Sequence, residues 1–147
     1  MVLDVWKLSE LEYKILVAMS DSEFGMNAYN IQKALASVIY EELEHYIKYH
    51  PKRSAEYKKE MFSVYAILEN GWAHVTTKQM REVEKILRHY EDMPTYDRLV
   101  RMLKNLEEEG IVSRREVGDK EIIWGISPDM KEKIRAFRKK KEKKPTS

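Results

Sequence analysis

Cysteine is absent from the 147-residue sequence, so a disulfide framework and thiolate metal sites are excluded. No run approaches the roughly 18 consecutive apolar residues that a membrane span requires. The first residues, MVLDVWKLSELEY, lack the basic start and apolar stretch of a signal peptide. A chain with these absences is expected in the reducing cytoplasm, with no membrane partner.

Recognisable catalytic and ligand-binding motifs are also missing. There is no phosphate-binding glycine loop, no G-x-S-x-G sequence and no pair of carboxylates tied to a cleft. His45 and His50 are five positions apart, a poor spacing for one helix face, and no H-E-x-x-H pattern occurs. We therefore expect a protein that is not an enzyme, has no metal site and needs no cofactor. The sequence identifies no small-molecule effector.

The charged residues are abundant (35%) and unevenly distributed. They are mostly Lys and Glu, while Gln and Cys are scarce, a composition that leans toward a thermophilic source. Nine basic and two acidic residues between Lys131 and Lys144 give that segment a net charge of +7; since the whole chain carries +2, the rest carries −5. Binding to a polyanion would therefore depend on a local patch and on the tail.

Apolar periodicity and capping patterns predict six helices, over about 9–19, 27–49, 54–70, 76–90, 94–109 and from 128 onward. Capping boxes are expected where Ser9 precedes Glu12 and where Thr76 precedes Gln79, and Ser54 is expected to cap the third helix. The second helix is long for a small domain, so it could bend near Ser37 or pack against a second copy of itself. Burial in the core of one chain is the more common role of such a helix.

A short extended piece, WAHV, is predicted after the third helix, and two strands are predicted at about Ile111–Val117 and Glu121–Ile126. Gly118-Asp119 between these strands is a hairpin signal. The basic C-terminal residues are expected to be disordered beyond about Lys140.

The fifth predicted helix has two chemically different faces. Its apolar stripe is Tyr96, Leu99, Met102, Leu103 and Leu106. The opposite side carries Asp97, Arg98, Arg101, Lys104, Asn105 and Glu108. A helix in the DNA major groove needs such donors, with Arg suited to guanine or phosphate and Asn to adenine.

Residues on either side of this face complete the predicted contact set. Thr95, at the helix start with free backbone N–H groups, suits a phosphate. Arg114, Arg115 and Lys120 of the hairpin would reach the flanking DNA backbone or minor groove. The acidic run 107–109 would repel phosphate, so DNA would lie along the N-terminal half of the helix.

The segment LVRMLKNLEEEGIVSRREVGDKEIIWGIS resembles the recognition helix and wing of winged helix-turn-helix regulators, including the PadR-like and MarR-like families. The matching positions are Leu103, Leu106, Gly110, Ile111, Val112, Arg114, Arg115 and Ser127. The resemblance implies a mainly α (α+β) fold, a winged helix-turn-helix with an N-terminal helical extension and a two-stranded wing. It also implies a sequence-specific, double-stranded DNA-binding transcriptional regulator that acts as a homodimer.

Two assignments of the helices that precede the recognition helix remain open. In the first, residues 54–138 form the winged helix domain, 1–53 are a dimerisation extension, and 139–147 are a basic tail. In the second, LSELEYKILVAM and AYNIQKAL are the preceding helices, and some fifty residues are inserted before Pro94.

An alternative function is also open. Winged helices serve as protein-interaction modules in transcription or replication assemblies, and the net charge of −5 outside residues 131–144 is compatible with that role.

Overall fold

The computed structural model describes residues 8–20, 22, 24–49 and 55–143, with only the backbone described at 45–49 and 140–143. The structure is mainly helical (68%) and contains a two-stranded antiparallel hairpin, as the α+β prediction requires. In chain order the elements are α1 (Glu10–Ser20), α2 (Ala28–Tyr49), α3 (Ala55–Leu68), a one-turn 3₁₀ helix (Trp72–His74), α4 (Thr77–Leu87), α5 (Tyr96–Glu108), β1 (Val112–Val117), β2 (Glu121–Ile126) and α6 (Pro128–Lys143).

The helix starts follow from local hydrogen bonding. Ser9 Oγ accepts a hydrogen bond from the Glu12 backbone N–H (3.1 Å), and the Glu12 carboxylate accepts one from the Ser9 N–H (3.0 Å). Thr76 and Gln79 make the same reciprocal pair at the start of α4. Both predicted capping boxes are therefore confirmed, and each satisfies two backbone donors that a helix start leaves free. The cap predicted at Ser54 lies outside the described residues.

Helix α2 is the centre of the packing. It contacts α1, α3, the 3₁₀ helix, α4, α5 and β2. Ile31, Leu35 and Ile39 along it are completely buried. The helix is uninterrupted through Ser37. Over residues 28–43 the apolar side chains of α2 therefore pack into the core of the same chain, which leaves them little surface for a second copy.

The remaining elements pack around α2 in two groups. Helix α5 lies against α2 and β1, and α1 lies against α2, β2 and α6. Helices α3 and α4 pack against each other and against α2. The recognition-like segment α5–β1–β2 is thus joined to α1 and α2 by a shared core.

A third piece of chain pairs with the hairpin. The Met26 backbone N–H donates to the Trp124 carbonyl (2.9 Å), and the Trp124 N–H donates to the Met26 carbonyl (2.8 Å). Strand β1 pairs with the other edge of β2, placing Arg114 opposite Trp124. The loop between α1 and α2 is thereby fixed to the middle of β2.

Some local predictions were wrong. WAHV forms a 3₁₀ helix at Trp72–His74 rather than an extended piece. Helix α6 continues through Lys143, past the predicted loss of order near Lys140. Tyr96, placed in the apolar stripe of α5, is 48% exposed because it lies in the first turn, beyond the edge of the core.

Candidate nucleic-acid interface

Helix α5 presents a polar face opposite a completely buried stripe. Leu99, Leu103 and Leu106 have no solvent exposure. The four side chains predicted to face DNA, Arg98, Arg101, Lys104 and Asn105, are all exposed. The division follows from the helical repeat, since apolar residues three or four apart share one side. The core fixes the rotation of α5, so the donors point outward together.

Thr95 caps the start of α5. Its side-chain oxygen accepts a hydrogen bond from the Arg98 backbone N–H (3.2 Å). This corrects the expectation of a start with only free N–H groups, because one of the first amides is already occupied by the cap. Pro94 precedes this cap and lies outside the helix. Thr95 therefore supports α5 directly, and its contact with a phosphate stays a prediction.

Arg98 is paired within the protein. Its Nη1 and Nη2 atoms donate to the two carboxylate oxygens of Asp92, at 2.6 and 2.9 Å. This hydrogen bonding raises the pKa of Arg98 and lowers the pKa of Asp92. The pair is solvent-exposed, with 44% of the Arg98 side chain and 59% of the Asp92 side chain accessible. An exposed pair of this kind is weak in water, so another anion can compete for the guanidinium.

The other predicted donors of α5 are less constrained. The side chains of Arg101, Lys104 and Asn105 make no hydrogen bond or ion pair with the part of the chain that the structure describes. Three long or polar side chains in successive turns are therefore available to a ligand along the same helix face.

The predicted wing residues occupy three different environments. The Arg114 Nε lies 3.3 Å from a Glu107 carboxylate oxygen, and its guanidinium lies 5.9 Å from the Trp124 ring centroid. Arg115 donates to the Phe24 carbonyl (2.7 Å), which ties β1 to the loop before α2. Lys120 is exposed at the hairpin turn with a positive φ of 68°. Lys120 thus lies at the exposed turn of the hairpin, while Arg114 and Arg115 contact residues of α5 and of the loop before α2.

Arg114 forms an ion pair with Glu107, the first residue of the acidic run at the end of α5. Glu107 is half-buried and neutralised by Arg114, whereas Glu108 and Glu109 are exposed. The unpaired acids of the run therefore lie at the end of the helix, and Asp97 is a further exposed acid in its first turn. The middle of α5, with Arg101, Lys104 and Asn105, carries no acidic residue.

The segment before α5 is anchored to the helices around it. Gln32 Nε2 of α2 donates to the Pro94 carbonyl (3.4 Å), and Arg88 Nε donates to the Met93 carbonyl (3.2 Å). Lys14 of α1 lies 3.8 Å from a Glu91 carboxylate oxygen. The start of α5 is thereby held from three directions.

Lys14 is the most buried charge in this support. Its ammonium group lies 2.7 Å from a Glu42 carboxylate oxygen, and Glu10 is also nearby at 3.9 Å. Burial alone would lower the pKa of Lys14, but the hydrogen bond and charge of Glu42, helped by Glu91 and Glu10, raise it overall. Lys14 therefore stays protonated and links α1, α2 and the segment before α5.

Sequence reasoning missed the surroundings of two residues near this face. Tyr96 was assigned to the apolar stripe, yet 48% of it is exposed in the first turn of α5. Asp92 was not assigned to the interface, yet it is the partner of Arg98. Tyr96 could have been recognised from its position in the first turn, where fewer neighbours cover a side chain. Nothing in the sequence distinguishes Asp92 from Asp97 as the partner.

Asp92→Asn is expected to strengthen binding of duplex DNA several-fold. The asparagine keeps the side-chain shape but removes the charge that competes with phosphate for Arg98 and repels the DNA backbone. Fluorescence anisotropy with a labelled duplex measures the change, and Asp129→Asn, an exposed acid at the start of α6, is the matched control. Equal affinities for wild type and Asp92→Asn would show that Arg98 does not act as a DNA ligand.

The described residues contain no group of three His, Asp or Glu side chains placed to hold a metal ion. None of the helices in the described ranges is long and apolar enough to cross a membrane.

No protein-family model, curated protein sequence or solved structure matches this chain.

Proposed function

We propose that this chain is a winged helix-turn-helix protein of the cytoplasm that binds double-stranded DNA and regulates transcription. The observation that carries the proposal is the exposed face of α5, where Arg98, Arg101, Lys104 and Asn105 stand opposite a fully buried stripe. The hairpin that follows adds Arg114, Arg115 and Lys120. Side chains of this kind on one helix can reach base edges and phosphates in a major groove.

We further assign α1 and α2, rather than α3 and α4, as the helices that precede the recognition helix. Two contacts support this assignment: α5 packs against α2, and Met26 between α1 and α2 pairs with Trp124 of the hairpin. The order α1, Met26, α2, α5, β1, β2 then gives the helices and three strand segments of a winged helix. Residues 50–93 are an insertion in this assignment.

A homodimer remains part of the proposal on the basis of the family resemblance. The long α2 helix no longer supports it over 28–43, since those side chains are used in the core of the chain. The described structure offers exposed aromatic rings on α3 instead, at Phe62 (71% exposed) and Tyr65 (43% exposed). Light scattering at micromolar concentration distinguishes the two states, and a monomer would contradict this part.

A protein-interaction module is the second candidate function. Two observations favour it: Arg98 and Arg114 are each paired with a carboxylate, and the chain outside 131–144 carries a net charge of −5. Such a protein would bind a partner with little dependence on salt and would not select a DNA sequence.

Binding to duplex DNA at several salt concentrations separates the two candidates. For a DNA-binding protein with six to eight phosphate contacts, log K is expected to fall with log salt with a slope of about −5 to −7. Selection from a random duplex pool then shows whether a sequence is enriched and whether it is a palindrome. A flat salt dependence with no enriched sequence would contradict the proposed function and favour the protein-interaction module.

A further inference from the structure

A side-chain hydrogen bond joins the beginnings of two helices that are distant in the sequence. The Tyr29 hydroxyl lies 2.7 Å from the Thr77 hydroxyl. Tyr29 is in the first turn of α2, and Thr77 is the first residue of α4. The beginning of the inserted helix α4 therefore lies beside the beginning of α2.

The start of α5 lies at the same end of α2. Gln32, one turn after Tyr29, donates its side-chain amide to the Pro94 carbonyl just before α5. The beginnings of α4 and α5 are thus both held by the first turns of α2. A ligand along the N-terminal half of α5 would lie at the same end of α2 as the beginning of α4.

The segments that contain the beginnings of α2 and α4 lack acidic residues, whereas the start of α5 has Asp92 and Asp97, and Glu121 of β2 accepts a hydrogen bond from the Asn27 side chain before α2. Asp and Glu number 25 in the whole chain, yet neither occurs in residues 24–40 or 70–81. Lys33, Lys78 and Arg81 supply positive charge within these segments. The ammonium group of Lys33 lies over the Tyr29 ring, 4.6 Å from its centroid. The junction of α2 and α4 therefore has a local positive charge although most of the protein is acidic.

Two of these cations lie on the surface of α4, and the charge of Arg81 acts on the Glu84 carboxyl three residues later. Lys78 and Arg81 are exposed and form no ion pair with any residue in the described ranges. Arg81 lies one helical turn after Thr77 and so shares its side of α4. Glu82 is the first acid on this helix and follows Arg81 directly. We name Lys78 and Arg81 the α4 patch.

We propose that the α4 patch binds the phosphate backbone of DNA next to the stretch contacted by α5. This inference rests on the proposed function and extends it, since it gives the inserted helices a part in DNA binding. The occupant is duplex DNA because the patch is basic and lies on a helix that begins, like α5, beside the first turns of α2. The contact adds affinity without sequence preference, because phosphate contacts do not distinguish bases.

The test compares two double variants by their salt dependence. Lys78→Ala with Arg81→Ala is expected to reduce the slope of log K against log salt by about 2 and to weaken binding on the order of tenfold. The sequence selected from a random duplex pool should stay the same. Lys58→Ala with Lys59→Ala, which removes two exposed lysines from α3, is the matched control and should change neither quantity.

The outcomes separate this inference from the function on which it rests. If wild type binds duplex DNA and Lys78→Ala with Arg81→Ala keeps the wild-type slope, the α4 patch does not contact phosphate, while the proposed function stands. If both double variants lower the slope equally, the effect is one of overall charge and the inference is again overturned. If wild type does not bind duplex DNA, both proposals fail. Circular dichroism of each variant confirms that folding is unchanged.

Discussion

Replacing Arg98 and Arg101 together by alanine is expected to weaken binding to a selected duplex on the order of 100-fold. Each arginine contact to a base edge or phosphate contributes about 1–3 kcal/mol, and a loss of 1.4 kcal/mol is tenfold in affinity. The two side chains are exposed and lie one turn apart on α5, so their loss leaves the buried stripe intact. Anisotropy titration of wild type and variant against the same duplex measures the effect.

The control for this variant is again Lys58→Ala with Lys59→Ala, which removes the same charge from α3. A loss confined to the α5 variant, together with a relaxed sequence preference, would show that α5 reads bases. A uniform loss across sequences would assign the two arginines to phosphates. Unchanged binding by the α5 variant would contradict the assignment of α5 as the recognition helix.

The Arg98–Asp92 pair complicates the arginine variant in a measurable way. Removing Arg98 also leaves the Asp92 carboxylate unpaired beside the DNA, so part of the loss comes from new repulsion. A double-mutant cycle with Asp92→Asn, Arg98→Ala and the combination separates these contributions. The direct contribution of Arg98 is the difference in affinity between Asp92→Asn and the double variant, because neither of these proteins has a charge at position 92.

Gly25→Ala is expected to destabilise the fold by about 3 kcal/mol or more. Gly25 has a φ of +89°, and left-handed backbone costs an L residue about 1–2 kcal/mol. An added Cβ would also lie 2.7 Å from Ile123 Cγ2 and 2.8 Å from the Trp124 carbonyl oxygen. That oxygen accepts the Met26 N–H, so relief of the overlap weakens backbone hydrogen bonds that contribute about 0.5–1.5 kcal/mol each.

Thermal denaturation followed by circular dichroism measures this effect, with an expected fall in Tm of roughly 10 °C. Gly118→Ala is the matched control because Gly118 also has a positive φ (62°) but no atom within 4 Å of an added Cβ. Gly118→Ala should lower the free energy of unfolding only by the cost of the left-handed backbone, about 1–2 kcal/mol. Equal losses at the two positions would show that the loop before α2 can separate from β2 without cost.

The sequence predicted those parts of the fold that depend on local interactions. Both capping boxes were evident because their residues are three apart, and the buried stripe of α5 was evident from its 3.6-residue repeat. The predictions for Tyr96 and for WAHV failed because burial at an element's end is decided by distant parts of the chain. The role of α2 likewise depends on distant parts of the chain. Its length alone left a bend, burial in the core and a dimer contact open, and the elements packed around it decide between them.

The predicted interface was only partly accessible from sequence. The exposed positions of Arg98, Arg101, Lys104 and Asn105 follow from helical geometry alone. The partners of Arg98, Arg114 and Arg115 do not, because they depend on a turn, an adjacent strand and a loop 91 residues away. Sequence periodicity therefore predicted which side chains of α5 are exposed, whereas only the structure shows which of the predicted DNA-binding residues have a partner within the protein.

The anchoring of the loop before α2 has a consequence for the order of folding. Lys131 donates to the Ser22 carbonyl across 109 residues, and Arg115 reaches Phe24 across 91. During synthesis this loop lacks its partners in the hairpin and α6 until Arg115 and Lys131 have been made. Contacts this distant in sequence slow folding, since a long loop must close before they form. The hairpin is therefore expected to complete the fold last, even though α1 and α2 are made first.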